Sequence, residues 1–224
     1  FKTLFMEILN IGKLIKSLNP VNGCTAWCTY CYAKKINDRF KITPDFEVPV
    51  FFENRLKQIT STRNRQVFFM TSMSDFSGWK TEWRSKVFQH LAKHPKHDYL
   101  FLTKFPEKIN FETDLDSAWI GVTITAKSEM KRIEALQNNI KAKNYFLTFE
   151  PLFSDVWEID LTNIKWVVIW TETGNRKWKI TAQKDWILNI AKQAKEKNIP
   201  VFMKDTLLNI VGEENMLQKL PFNK

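Results

Sequence analysis

Short apolar runs rich in β-favouring residues alternate along the chain with longer stretches in which apolar positions recur every three to four residues. The runs fall at 14–18, where the signal is weakest, and at 66–70, 99–102, 119–124, 145–149, 166–170 and 200–203. Helical spacing between them predicts helices over 53–60, 80–93, 127–139 and 182–197, the last with Trp186, Ile187, Ile190, Ala191 and Ala194 on one face. Strand alternating with helix implies parallel pairing through right-handed crossovers. The runs are apolar nearly throughout, as strands covered on both faces are.

Polar residues gather where the runs stop. The second run meets Thr71, Ser72, Ser74 and Asp75; later runs end at Thr103 and Lys104, Thr125, Glu150, Thr171 and Glu172, and Lys204 and Asp205. In a parallel α/β barrel these C-terminal strand ends converge on one face, where active sites sit. A strand must end in something polar, which accounts for Thr and Ser more easily than for Lys104, Glu150, Glu172 or Lys204.

Composition narrows the class. With 224 residues, 44% of them hydrophobic, and with 18 Phe, 9 Trp and 4 Tyr against 6 Gly, collagen-like and disordered readings fail. One domain is expected over 1–224, with its core at about 14–205 and a C-terminal amphipathic helix and frayed tail over 206–224. No apolar run reaches the roughly 18–20 residues that span a bilayer, so no membrane segment is expected. The sequence opens at Phe1 with no signal-peptide pattern behind it, which makes the cytoplasm the expected location. A net charge of +10 favours anionic partners, nucleic acid among them, although the lysines are scattered and an AT-rich genome alone enriches Lys.

The three cysteines change the picture most. Cys24, Cys28 and Cys31 fall within eight residues, and the chain has no other cysteine. An odd, tight set argues for a metal or redox site over a disulfide framework. Spacings of three and two let one loop offer three thiolates to a cubane [4Fe-4S] cluster, leaving one iron without a protein ligand. A zinc site of three cysteines and one histidine stays open as an alternative, with His90, His94 and His97 the only candidates for the fourth ligand.

Cys-x3-Cys-x2-Cys with Tyr30 before the last cysteine resembles the signature of radical S-adenosylmethionine enzymes. More narrowly, Asn19-Pro-Val-Asn-Gly-Cys24, Phe69-Met-Thr-Ser-Met-Ser-Asp-Phe76, Leu102-Thr-Lys104, Phe149-Glu-Pro-Leu152 and Glu172-Thr-Gly174 are similar to a phage-associated, uncharacterised family of small proteins of that kind, itself distantly like spore photoproduct lyase. The resemblance implies a partial (β/α)6-type TIM barrel with the cluster loop after the first strand. It implies that Cys24, Cys28 and Cys31 ligate the cluster and that the open iron binds S-adenosylmethionine. An electron donor such as flavodoxin or ferredoxin is implied too, and cleavage to a 5′-deoxyadenosyl radical that abstracts hydrogen from substrate.

Thr71, Ser72, Ser74 and Asp75 stand where many members of the superfamily carry a Gly-Gly-Glu segment that contacts the cofactor's amino group. This sequence departs from that pattern while keeping oxygen acceptors. Lys104 matches a lysine that meets the cofactor's carboxylate. With no fourth cysteine to donate hydrogen, Tyr32 and Tyr99 are the candidate relays. Glu150 and Glu172 are candidate proton-transfer groups or partners in salt bridges with Lys104 or Lys204, and Asn175, Arg176 and Lys177 are candidate phosphate contacts. Three function classes follow: catalysis on a nucleic-acid base or nucleotide, catalysis on a small metabolite or peptide, and a zinc-stabilised nucleic-acid-binding module.

Overall fold

The computed structural model describes residues 8–222 and shows a mixed α/β chain built on one curled, seven-stranded parallel sheet. The strands are β1 (Ile15–Ser17), β2 (Val67–Phe69), β3 (Asp98–Thr103), β4 (Ala118–Thr123), β5 (Asn144–Phe149), β6 (Ile164–Ile169) and β7 (Val201–Met203). They lie side by side in chain order, every adjacent pair parallel, so the sheet is a half-barrel consistent with a partial α/β barrel. All seven apolar runs became these strands, against the six-stranded type expected.

Residues alternate between the two faces, as a pleated strand demands. Phe68, Tyr99, Phe101, Ile120, Val122, Leu147, Phe149, Val167 and Ile169 join the helix-covered core. The helices supply Val87, Leu91, Ile133, Leu136, Ile187, Ile190 and Ala194 to that core. On the concave face Ile15, Leu100, Trp119, Phe146, Trp166, Val168 and Phe202 form a second cluster. Gly121 belongs to this face because a Cβ there would lie 2.5 Å from the Phe146 ring.

Four main helices are α1 (Tyr32–Phe40), α2 (Thr81–Ala92), α3 (Lys131–Asn139) and α4 (Lys184–Glu196). The helix expected over 53–60 is a 3-10 turn at Glu53–Leu56 followed by a short helix at Lys57–Ser61. α1 was not expected: its polar run of Lys34, Lys35, Asn37, Asp38 and Arg39 hides a narrow apolar stripe.

The C-terminal amphipathic helix is corrected. The short helix Leu208–Val211 is followed by a 3-10 turn at Glu213–Asn215 and then by extended chain, in which Leu217 O accepts from Met203 N and Lys219 N donates to Val201 O. Leu207, Val211 and Met216 join the helix-covered core, whereas Leu220 and Phe222 pack on the floor of the half-barrel, Phe222 edge-on against Trp119 and Trp166 at ring-centroid separations of 5.1 and 5.5 Å. The last two residues of the expected frayed end lie outside the described residues. Gln218 accepts from Leu9 N and donates to Leu9 O and Met203 O, and Asn10 donates to Asp205 at 2.7 Å. The gap between edge strands β1 and β7 is spanned in this way. Among the described residues, no helix is long and apolar enough to cross a membrane.

Candidate active site

A cavity of about 470 Å³ opens at the C-terminal ends of the strands and runs down the concave face to Ile15, Leu100, Phe146 and Trp166. Its rim holds Cys24, Cys28, Cys31, Tyr30, Tyr32, Thr71, Ser72, Ser74, Asp75, Lys104, Glu150 and Lys204. Residues spread over 180 positions of sequence thus meet because the sheet brings every strand end to one face.

The cysteine loop is locked to its neighbours. Gly23 has φ +110°, and a Cβ there would fall 2.8 Å from the Pro49 backbone, so only glycine leads into Cys24. Gly23 N donates to Met73 O at 3.0 Å and Cys24 N to Phe46 O at 2.7 Å. Asn19 clasps the loop after β2, accepting from Met73 N at 2.9 Å and bonding the Ser72 hydroxyl. Beneath the loop, Ala33, Phe46 and Met73 form a small core of their own, and Asn37 accepts from Asn22 and Thr43 in a buried network.

All three thiols are free, and two accept backbone N–H bonds: Cys24 from Ala26 at 3.4 Å and Cys31, the N-cap of α1, from Lys34 at 3.3 Å. Burial, with Asp75 nearby, pushes Cys24 up to about 12. Burial also raises Cys28, opposed by the Lys104 ammonium and by a hydrogen bond from Tyr30. Burial thus favours the protonated form of Cys24 and Cys28, and a bound metal centre would supply the positive charge that opposes it.

Among the described residues no three Cys, His, Asp or Glu side chains form a group close enough to hold one metal ion. None of the three histidines lines the cavity that holds the cysteines. His90, in the last turn of α2, and His94, just beyond its end, both bond the Thr60 hydroxyl; His97 is buried before β3 and accepts from Gln66 N.

Lys104 sits 5.5 Å from the Tyr30 ring centroid, and among the described residues no carboxylate pairs with it. Tyr30 in turn meets Phe153 edge-on at 5.2 Å, which joins the loop after β5 to the cysteine loop. Glu150 pairs with Lys204 across the rim, and Lys204 lies 4.9 Å from the Trp170 ring centroid.

Several expected roles are redistributed. The Asp75 carboxylate accepts from Ser77 N and Oγ, from Thr103 Oγ1 at 2.6 Å and from Lys104 N at 2.8 Å, so it clamps the strand ends and keeps little capacity for a ligand. Ser72 is held by Asn19. Thr71 accepts from Leu102 N and Ser74 from Trp79 Nε1, each keeping a hydroxyl proton. Tyr32 lines the cavity but spends its hydroxyl on Ser72 O at 2.6 Å.

Tyr99 does not reach the cavity. It is an even number of positions from Phe101 and so faces the helices, donating to His94 O at 2.9 Å. Glu172 is buried against Arg176 through bonds of 2.5 and 2.7 Å, which hold its carboxyl below the usual range and take Arg176 away from the phosphate role. Its partner is thus neither Lys104 nor Lys204. Thr123 and Thr148, bonded to each other at 3.1 Å inside the cavity, and Trp170 were missed. The two-residue period through Gly121 and Phe146 would have found both threonines.

Fold and rim together define an α/β half-barrel protein with a thiol-bearing cavity at its strand ends. The chain belongs to the family described as protein of unknown function (DUF5131), whose profile matches residues 10–210. No curated protein and no solved structure matches it.

Proposed function

We propose that the protein is a radical S-adenosylmethionine enzyme and that its half-barrel is a TIM-type barrel open at one seam. The observation that carries the reading is that all three cysteines line the rim of one cavity, two of them accepting N–H···S bonds, beside the Lys104 side chain. Cys24, Cys28 and Cys31 would hold a [4Fe-4S] cluster. When bound, that group and its cofactor supply one-electron cleavage chemistry able to remove hydrogen from an unactivated carbon.

The chain's own residues do the rest. Lys104 pairs with the cofactor's carboxylate, its backbone held in place by Asp75. Thr71 and Ser74 offer oxygen lone pairs to the ammonium. Phe69, Leu100, Leu102, Phe146 and Trp166 line the depth of the cavity and exclude water from reactive species. Glu150 and Lys204 face the substrate and can hold or pass a proton between them. An electron carrier such as flavodoxin or ferredoxin would dock on the cysteine-loop face.

The test is anaerobic iron-sulfur reconstitution, then chromatography for 5′-deoxyadenosine after addition of S-adenosylmethionine and dithionite. Brown protein that forms the product, with Cys28→Ala forming none, is the expected result. Colourless, zinc-loaded protein that forms none overturns the reading.

A further inference from the structure

Six non-glycine residues among those described have positive φ. Asn163 and Asn198 tolerate it, and Lys41 is the left-handed cap of α1. The other three are Trp27 (φ 54°), Trp157 (φ 58°) and Trp178 (φ 64°). A bulky side chain in that region is an outlier that needs a reason. Side-chain packing does not give one, because these tryptophans are 74%, 63% and 80% exposed; the Trp157 backbone is pinned by Asp155, Asn189 and Gln193, which leaves its indole facing water.

All three stand on loops that leave the C-terminal strand ends: Trp27 between Cys24 and Cys28 after β1, Trp157 after β5, Trp178 after β6. Lys127 Nζ lies 4.0 Å from the ring centroid of Trp157, and Lys177 Nζ lies 5.3 Å from that of Trp178. Flat, water-facing indoles with ammonium groups alongside, on a chain of net charge +10, suit a ligand with stackable rings on an anionic backbone.

We infer that the loops around the cavity bind single-stranded nucleic acid, with bases stacked on Trp27, Trp157 and Trp178 and phosphates met by Lys127 and Lys177. The inference rests on the reading of this cavity as the active site and adds its substrate class. A duplex hides its base faces, so the single strand is the preferred form. A 470 Å³ cavity has room for no more than a short stretch of it, leaving neighbouring nucleotides to the rim.

Fluorescence polarisation with labelled 12-mer single strands of DNA and RNA, the matching duplexes and anionic vesicles tests this on the full chain, with no need for reduction or turnover. Single strands should bind tightest, and each of Trp27→Ala, Trp157→Ala and Trp178→Ala should weaken binding by about 5-fold to 150-fold. Lys127→Ala or Lys177→Ala should each lower the slope of log K against log salt by about 0.7. Trp178→Phe should keep most of the affinity. Trp178→Gly should lose it while holding or raising the melting temperature, because glycine relieves the left-handed backbone. A packing role for that tryptophan would instead lower it.

Equal affinity for duplex, preference for vesicles, or single-strand binding indifferent to all three tryptophans overturns the inference. Protein that cleaves S-adenosylmethionine yet ignores nucleic acid also overturns it and leaves the proposed activity standing. Protein that binds single strands but forms no 5′-deoxyadenosine keeps the surface and removes the activity.

Discussion

Replacing Gly121 by alanine tests how tightly the concave face is filled. The added methyl would lie 2.5 Å from Cε1 and Cζ of Phe146 and 2.7 Å from Cδ1, where carbon contacts settle at about 3.5–4.0 Å. The ring must therefore retreat by about 1 Å, and Trp166 stands beside it at a centroid distance of 5.7 Å. Overpacking of this kind costs about 1–3 kcal/mol, and the gain from a stiffer unfolded chain, roughly 0.4–1 kcal/mol, offsets only part of it. A net loss of about 1–2 kcal/mol in a chain of this size lowers the melting temperature by roughly 2–8 °C, readable by calorimetry or circular dichroism. The paired variant Gly121→Ala/Phe146→Leu removes the colliding ring and should be more stable than the sum of the two single changes by about 1 kcal/mol. A Gly121→Ala protein that melts with the parent, or a strictly additive pair, would refute the account of why this strand carries glycine.

Four further outcomes follow from the rim and the seam. Asp75→Ala removes the acceptor of four hydrogen bonds and should lower stability by about 2–4 kcal/mol in denaturant melts, whereas Lys104→Met should leave the melt within about 0.5 kcal/mol and raise the KM for S-adenosylmethionine. Glu172 is held below its ordinary pKa by Arg176, so its contribution is fully present above about pH 4.3 and disappears as the pH falls through its folded value. Glu172→Gln should therefore cost about 1–3 kcal/mol at pH 7, with the gap to the parent closing below pH 4 in melts taken across that range. Gln218→Ala breaks both ties to Leu9 and should hasten hydrogen exchange at Leu9 and Met203 while amides of β3 and β4 keep their protection.

The strands were legible because parallel, doubly covered strands are written as unbroken apolar runs, and the cysteine loop because three thiols in eight residues have few other uses. Lys104 and Glu150 were legible as charges ending strands. Tyr99 was misread because its place in the run gave its level in the barrel but not its face; counting from Phe101 would have turned it toward the helices. Asp75 and Glu172 show a different limit. Both are acids at strand ends, yet one is consumed by Ser77, Thr103 and Lys104 and the other by Arg176, pairings that depend on loop paths with no periodic signal. α1 escaped for a related reason: its start is fixed by a cysteine cap and its C-terminal half by a buried Asn22–Asn37–Thr43 network, not by a broad apolar stripe.

Strand order equal to chain order has a consequence for synthesis. Each strand leaving the ribosome finds its neighbour already in place, so the sheet can grow edgewise during translation, at about 5–20 residues per second. The contacts across the seam are of another kind: Leu9 waits for Gln218, 209 positions later, and the floor beneath Trp119 and Trp166 waits for Phe222. For the seconds between emergence of β7 and arrival of those residues, the nascent barrel is open from below as well as above, and its greasy interior is then most exposed to chaperones and to aggregation.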